Sequence, residues 1–155
     1  MKLIPLTKGQ FALVDDEDYE DLKQFKWYAN WCSHTKSFYA MRGVKMSTGK
    51  WTNELMHRRI LRLERGDKRQ CDHLDHATLD NRRANIRVVT NQENNQNRRA
   101  KGYSWIPSIR RYRAQLKVGG VYRHLGYHDT SDEARAAYLA GKAIYHPSYP
   151  MEMSI

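Results

Sequence analysis

A chain of 155 residues with a net charge of +10 and a pI near 9.7 is long enough for one domain or for two to three small modules. Two cysteines, Cys32 and Cys71, exclude a disulfide framework, and no apolar run is long enough to cross a bilayer. Residues 1–56 carry eight basic against seven acidic residues, 57–99 eleven against six, and 100–155 eight against four, so only the last two thirds attract a polyanion such as DNA or RNA.

In chain order, Phe11-Ala12-Leu13-Val14 is a short apolar strand, and Asp15-Asp16-Glu17-Asp18 then starts a helix that places Tyr19, Leu22 and Phe25 on one face. Aromatic-rich strands are expected at 26–32 and 37–44, followed by a turn at Ser47-Thr48-Gly49-Lys50 and a strand from Trp51. Leu55, Met56, Arg59, Ile60 and Leu63 fit one helical face, which Gly66-Asp67 ends. Residues 70–98 then read as strand (70–74), loop (75–84), strand (86–89) and helix, the last opened by the capping box Thr90-Asn91-Gln92-Glu93. Beyond Lys101-Gly102 come strands at 103–106, 112–118 and 121–127, with Gly119-Gly120 as a hairpin turn. A second capping box, Thr130-Ser131-Asp132-Glu133, opens a helix with Ala134, Ala137, Tyr138, Gly141, Ile144 and Tyr145 on one face, stopped by Pro147 and Pro150.

The chemistry-bearing residues lie between 70 and 98. Hydrolysis of a phosphodiester needs a base for water and a cation to absorb charge on the phosphate. His73, at a strand end, suits the base, because neutral imidazole is available near pH 7. Asp72 beside it and Asn94 in the following helix supply hard oxygen donors, which suit Mg²⁺, or Mn²⁺ in its place, better than Zn²⁺. Asn85, at the start of the second strand, is a further oxygen donor or an amide that ties the loop to the backbone. A rival reading uses Cys32-Ser33-His34 and Cys71-Asp72-His73 as Cys-x-His pairs holding structural zinc, without the short Cys-x-x-Cys loops of ordinary zinc knuckles. Arg82, Arg83, Arg87, Arg98 and Arg99 crowd the same stretch as phosphate contacts.

Asp72-His73, Asn85 and Asn94, with Leu74-Asp75-His76 and Leu79-Asp80-Asn81-Arg82-Arg83-Ala84-Asn85-Ile86-Arg87-Val88-Val89-Thr90, resemble the HNH endonuclease family in its phage-encoded branch, whose last position is asparagine. The resemblance implies a ββα-metal fold with His73 as general base, Asp72 and Asn94 as metal ligands and Asn85 bracing the two strands. Met56-His57-Arg58 resembles the same branch, with His57 as a support or phosphate contact. His76 departs from it, standing where many relatives have a small polar residue such as asparagine.

In the strand from Tyr112, alternation sends Tyr112, Ala114, Leu116 and Val118 to one face and Arg113, Gln115 and Lys117 to the other. Gly102-Tyr103-Ser104, Tyr112-Arg113-Ala114-Gln115-Leu116, Leu125-Gly126-Tyr127 and Glu133-Ala134 with Ala137-Tyr138 resemble the plant APETALA2/ethylene-response-factor DNA-binding domain. That likeness implies a groove-facing set of Ser104, Arg113, Gln115, Lys117, Tyr122 and His124. Tryptophans common on that face are missing.

The expectation is therefore an α+β protein with a β-rich N-terminal region at 1–56, a ββα-metal nuclease core at 57–99, and a three-stranded antiparallel sheet packed on one helix at 100–155. Its expected activity is metal-dependent DNA cleavage of the homing or nicking type, leaving 5′-phosphate and 3′-hydroxyl ends. Double-stranded DNA is the partner, with no membrane, and the protein acts as a monomer or weak homodimer in the cytoplasm of a host cell. The competing class is a sequence-specific DNA-binding protein that keeps the fold without the chemistry.

Overall fold

The first strand of the computed structural model, which describes residues 1–148, is one that the apolar pattern does not announce: β1 (Lys2–Pro5) pairs antiparallel with β2 (Phe11–Val14). The reversal between them uses Lys8 and Gly9, both at positive φ. Helix α1 (Asp16–Leu22) starts within the acidic run, as expected, but ends before Phe25, which the spacing puts on its face. Three acids in its first turn, Asp16, Glu17 and Asp18, favour the positive end of the helix dipole.

Next come β3 (Tyr28–Cys32), β4 (Ser37–Lys45) and β5 (Trp51–Leu55), an antiparallel sheet in that order. Helix α2 (Met56–Ile60) follows at once. Strands β6 (Gln70–His73) and β7 (Ile86–Val89) form a two-stranded ribbon, in register His73 to Ile86 and Asp72 to Arg87. These elements share one core of Ile4, Ala12, Val14, Leu22, Trp27, Ala40, Met56, Ile60 and Ile86. Apolar side chains from β1, β2, β4, α2 and β7 thus bury one another, on either side of position 56. By contacts the chain divides into Met1–Asn91 and Gln92–Ile155.

The long loop between β6 and β7 is sutured to the N-terminal strands. Leu13 N donates to Leu79 O at 2.9 Å and Asn81 N to Leu13 O at 2.8 Å. The Thr78 hydroxyl donates to Phe38 O at 2.7 Å. His76 takes φ +64 in this loop, a left-handed conformation that asparagine adopts more readily than most side chains. That is a physical reason for a small polar residue at this position.

In the second unit α3 (Asn91–Asn97) precedes β8 (Tyr103–Ile106), β9 (Arg111–Val118) and β10 (Val121–His128), an antiparallel sheet in the order β10-β9-β8. Helix α4 (Ser131–Tyr145) packs on it, with Ala114 and Leu116 from the sheet and Ala134 and Tyr138 from the helix buried. Its start is a complete capping box: Glu133 N donates to the Thr130 hydroxyl, and the Glu133 carboxylate accepts from Thr130 N. The buried face differs at its end from the expected one, since Ile144 is 70% exposed and Lys142 only 3%. The Lys142 ammonium donates to Arg98 O at 3.1 Å, and its burial lowers its pKa to about 8. Pro150 lies outside the described residues.

Two glycines permit close packing here. At Gly102 (φ +78) a Cβ would come within 2.0 Å of the Tyr138 ring, and at Gly141 within 2.7 Å of Leu125. Among the described residues no helix is long and apolar enough to cross a membrane.

Candidate functional site

His73 is the last residue of β6 and is 5% exposed; Asp72 before it is 7% exposed. Because the ribbon register sets Asp72 directly opposite Arg87, the guanidinium lies on Asp72 Oδ2, at 2.9 Å from Nη2 and 3.2 Å from Nε. A carboxylate this enclosed requires such a partner, since removing an unpaired charge from water is costly. Burial lowers the His73 pKa, against the neighbouring Asn81 amide and the charges of Asp72, Asp75 and Asp80, which raise it. The net shift is downward, so the imidazole is neutral at pH 7 and able to accept a proton.

Asn85 holds the loop shut beside them. Its Oδ1 accepts from Asp75 N at 3.1 Å and its Nδ2 donates to Asp80 O at 2.9 Å. Its own carbonyl accepts from Leu74 N at 2.8 Å, which continues the ladder one residue past His73. Of the two readings of this amide, the tie across the loop is the one its hydrogen bonds describe.

His57 is also 5% exposed, with its ring centroid 5.0 Å from that of His73. The Tyr39 ring lies 5.9 Å from His57 and 6.1 Å from His73, each pair edge-on. Burial, aided by the charges of His73 and Arg58, lowers the His57 pKa to about 3. His57 is therefore a neutral packing partner of His73, enclosed where a phosphate contact needs exposure.

Each arginine of the loop and ribbon has an acidic partner. Arg82 pairs with Asp80 at 2.5 Å, Arg83 with Glu17 at 2.5 Å and Asp18 at 2.7 Å, and Arg87 with Asp72. Arg83 N also donates to Asp15 at 2.8 Å. The acids of α1 thus anchor the loop that follows β6. Asn94 is half-buried on α3, and Arg98 and Arg99 after it are exposed; all three belong to the second unit.

The Cys-x-His zinc set does not assemble: among the described residues no group of three or more His, Cys, Asp and Glu side chains gathers around a point. Both cysteines are free, and burial raises the Cys71 thiol to about 11, away from the thiolate a zinc site needs. Asp72 in the first unit offers a carboxylate and Asn94 in the second an amide oxygen, each a hard donor of the kind that Mg²⁺ takes together with phosphate and water.

On the second unit's sheet, Ser104 pairs in register with Arg113, Gln115 with His124 and Lys117 with Tyr122. Directly paired residues share a face, so all six lie together, opposite the face that buries Ala114 and Leu116. Ser104 Oγ and Arg113 Nε are hidden from solvent without a hydrogen-bond partner among the described residues. A bulge between His124 and Tyr127, with Gly126 at φ +114, resets the register so that Tyr127 pairs with Arg113 and joins this face, 48% exposed. Simple alternation from Tyr122 puts Tyr127 on the other side, so it was missed.

Tyr39 and Asn81 were missed as well. Asn81 is fully buried, and the proximity of its amide to His73 has a local signal in the Asp80-Asn81 pair. The contact of Tyr39 with His73 spans the chain and has none.

Residues 54–96 match the model of a family described as HNH endonuclease. Over 141 residues the chain is 27% identical to an uncharacterized HNH endonuclease of Acanthamoeba polyphaga mimivirus, an alignment that covers 88% of this chain and 71% of that protein. No solved structure matches. The two similarities support an HNH-type nuclease domain and, in general terms, a nuclease-type function. The family match ends before β8.

Proposed function

We propose that the chain is a metal-dependent DNA endonuclease of the homing or nicking type, with its chemistry centred on His73. The observation that carries this reading is a neutral, nearly enclosed imidazole at the end of β6, next to an arginine-held carboxylate and inside the segment that matches the HNH endonuclease family. His73 takes the proton of the attacking water, and tilting of the ring is limited by Tyr39 and His57 packed edge-on against it. Attack on phosphorus then expels the 3′-oxygen, leaving 5′-phosphate and 3′-hydroxyl ends. By the family resemblance Asp72 and Asn94 are the residues that would hold Mg²⁺, which neutralises charge on the scissile phosphate when bound. Asn85 acts by holding the loop that carries Asp75 and Asp80, and so keeps the strand end that presents His73 in place.

The functional division is a nuclease core at 57–99 and a DNA-reading module at 100–155. For the latter, the likeness to the APETALA2/ethylene-response-factor domain rests on sequence, with support from a three-stranded sheet that has a helix on one face and Ser104, Arg113, Gln115, Lys117, Tyr122 and His124 on the other. Arg98 and Arg99 are exposed and, in this reading, add phosphate contacts. Arg82, Arg83 and Arg87 reach phosphate only by sharing their acidic partners. One such site cuts one strand, so a monomer nicks.

Incubation of supercoiled plasmid with the protein and Mg²⁺ tests the reading. Relaxed circles are expected from the wild type and none from His73→Ala. If both proteins bind the plasmid and leave it supercoiled, the chain is a DNA-binding protein that keeps the fold without the chemistry.

A further inference from the structure

The sheet β3–β4–β5 has two unlike faces. On one side Ala29 and Ala40 are buried, and Arg42 is paired with Glu54 and lies over the Phe25 ring. The opposite side carries Tyr28, Asn30, Tyr39, Lys45, Trp51 and Asn53, brought together by the register of Asn30 with Tyr39, Gly43 with Asn53 and Lys45 with Trp51. Trp51 is 72% exposed, and the edge of its indole lies over Gly43, where an added Cβ would be in ordinary contact at 3.5 Å. The Tyr28 hydroxyl reaches across β4 to Asn53 Oδ1 at 3.1 Å. Tyr39, between these residues and the candidate base, has its ring 6.1 Å from that of His73. No position on this face is acidic, since Glu54 points to the other side.

We propose that this face is the bed for an unpaired stretch of the nucleic-acid strand leading from His73, with Trp51 stacked on one of its bases. The inference rests on the nuclease reading of the His73 site and extends it to the path of the substrate. Its chemistry favours an unpaired strand over a duplex. Flat rings and side-chain amides recognise exposed bases, whereas a duplex hides its base faces and is gripped through phosphates by arrays of cations. This face carries one lysine, and residues 1–56 are nearly neutral. Continuity through Tyr39 to His73 makes the face part of the same site.

The test uses the full chain with His73→Ala and no divalent metal, so that nothing is cut. Binding of a fluorescein-labelled oligothymidylate and of a labelled duplex is followed by anisotropy at fixed salt. Adding Trp51→Ala is expected to weaken oligothymidylate binding about fivefold to a hundredfold, the range for loss of one base–aromatic stack, with duplex affinity nearly unchanged. Trp51→Phe, which keeps a ring, retains most of the affinity. Trp31→Ala, an exposed tryptophan on the other face of the same sheet, changes neither. Unchanged thermal midpoints establish that the variants are folded.

Unaltered oligothymidylate binding by Trp51→Ala overturns the proposal, as does an equal loss for Trp31→Ala or for the duplex. Because the assay needs no cleavage, the two readings fail separately. A protein that binds through Trp51 yet never nicks plasmid refutes the nuclease reading alone. One that nicks plasmid while Trp51→Ala binds as before refutes this inference alone.

Discussion

Replacing Asn85 with alanine separates a brace from a group that touches substrate. The side chain is 7% exposed and makes two hydrogen bonds, from Asp75 N to Oδ1 and from Nδ2 to Asp80 O. Each is worth about 0.5–1.5 kcal/mol net, and the partners left behind lose more if water reaches them poorly. Asp75 and Asp80 are both half-buried, so water recovers part of the loss, and the expected cost is about 2–3 kcal/mol. The backbone bond from Leu74 N to Asn85 O survives the change, so the β6–β7 ribbon itself should remain. With a urea slope of about 1–3 kcal/mol per molar, the midpoint falls by roughly 1–2 M.

Tryptophan fluorescence follows this well, since Trp27, Trp31 and Trp51 all lie in the first unit. Plasmid nicking, measured far below the unfolding transition, should drop more than the small unfolded fraction explains, because the loosened loop no longer fixes the end of β6. Two results would refute this reasoning. A midpoint shift under about 0.5 kcal/mol with full activity means that the two bonds brace nothing. Loss of activity with an unmoved midpoint means that Asn85 acts on the substrate itself.

Two further outcomes follow from burial and packing. In the unfolded chain His57 has an ordinary pKa near 6.5, and in the folded one about 3, so only the unfolded state gains a proton between these values. Stability is full above about pH 6.5, falls as pH drops through that window, and by about pH 5 has lost roughly 2 kcal/mol to this group. His57→Gln should flatten a urea-midpoint profile by that amount, and identical profiles in the two proteins would overturn the assignment. Gly102→Ala forces a methyl group into the Tyr138 ring at a left-handed φ and should cost the second unit about 2–4 kcal/mol. Hydrogen exchange of β9 amides reads this loss, and unchanged protection would show that Tyr138 moves aside freely.

The parts of the fold that were legible in the sequence are those where one local rule acts alone. The strands 86–89 and 103–106 lie where alternation and turn residues place them, and Thr130 to Glu133 forms its capping box because all its atoms lie within four consecutive residues. Arg113, Gln115 and Lys117 share a face for the same reason: a strand with a helix on one side has period two. Legibility ends where a second, distant segment decides. The arginines 82, 83 and 87 read as a basic cluster, yet Arg83 meets Asp15, Glu17 and Asp18 from a helix some seventy residues earlier in the chain. Lys142, four residues after the buried Tyr138, is buried despite its charge, with its ammonium donating to the carbonyl of Arg98.

The same limit governs the site. Asp72 and His73 declare themselves by adjacency, but what makes His73 an available base is its enclosure by Tyr39, His57 and Asn81, and only one of those three is a near neighbour in sequence. Strand β4, within 1–56, thus supplies through Tyr39 a wall beside the candidate base. The N-terminal third has a net charge of only +1; what it supplies to the candidate site is packing, through Tyr39 against His57 and His73. A truncation at residue 56 would remove Ile4, Ala12, Val14, Leu22, Trp27, Ala40 and Met56 from the shared core, and with them the packing that keeps His73 neutral.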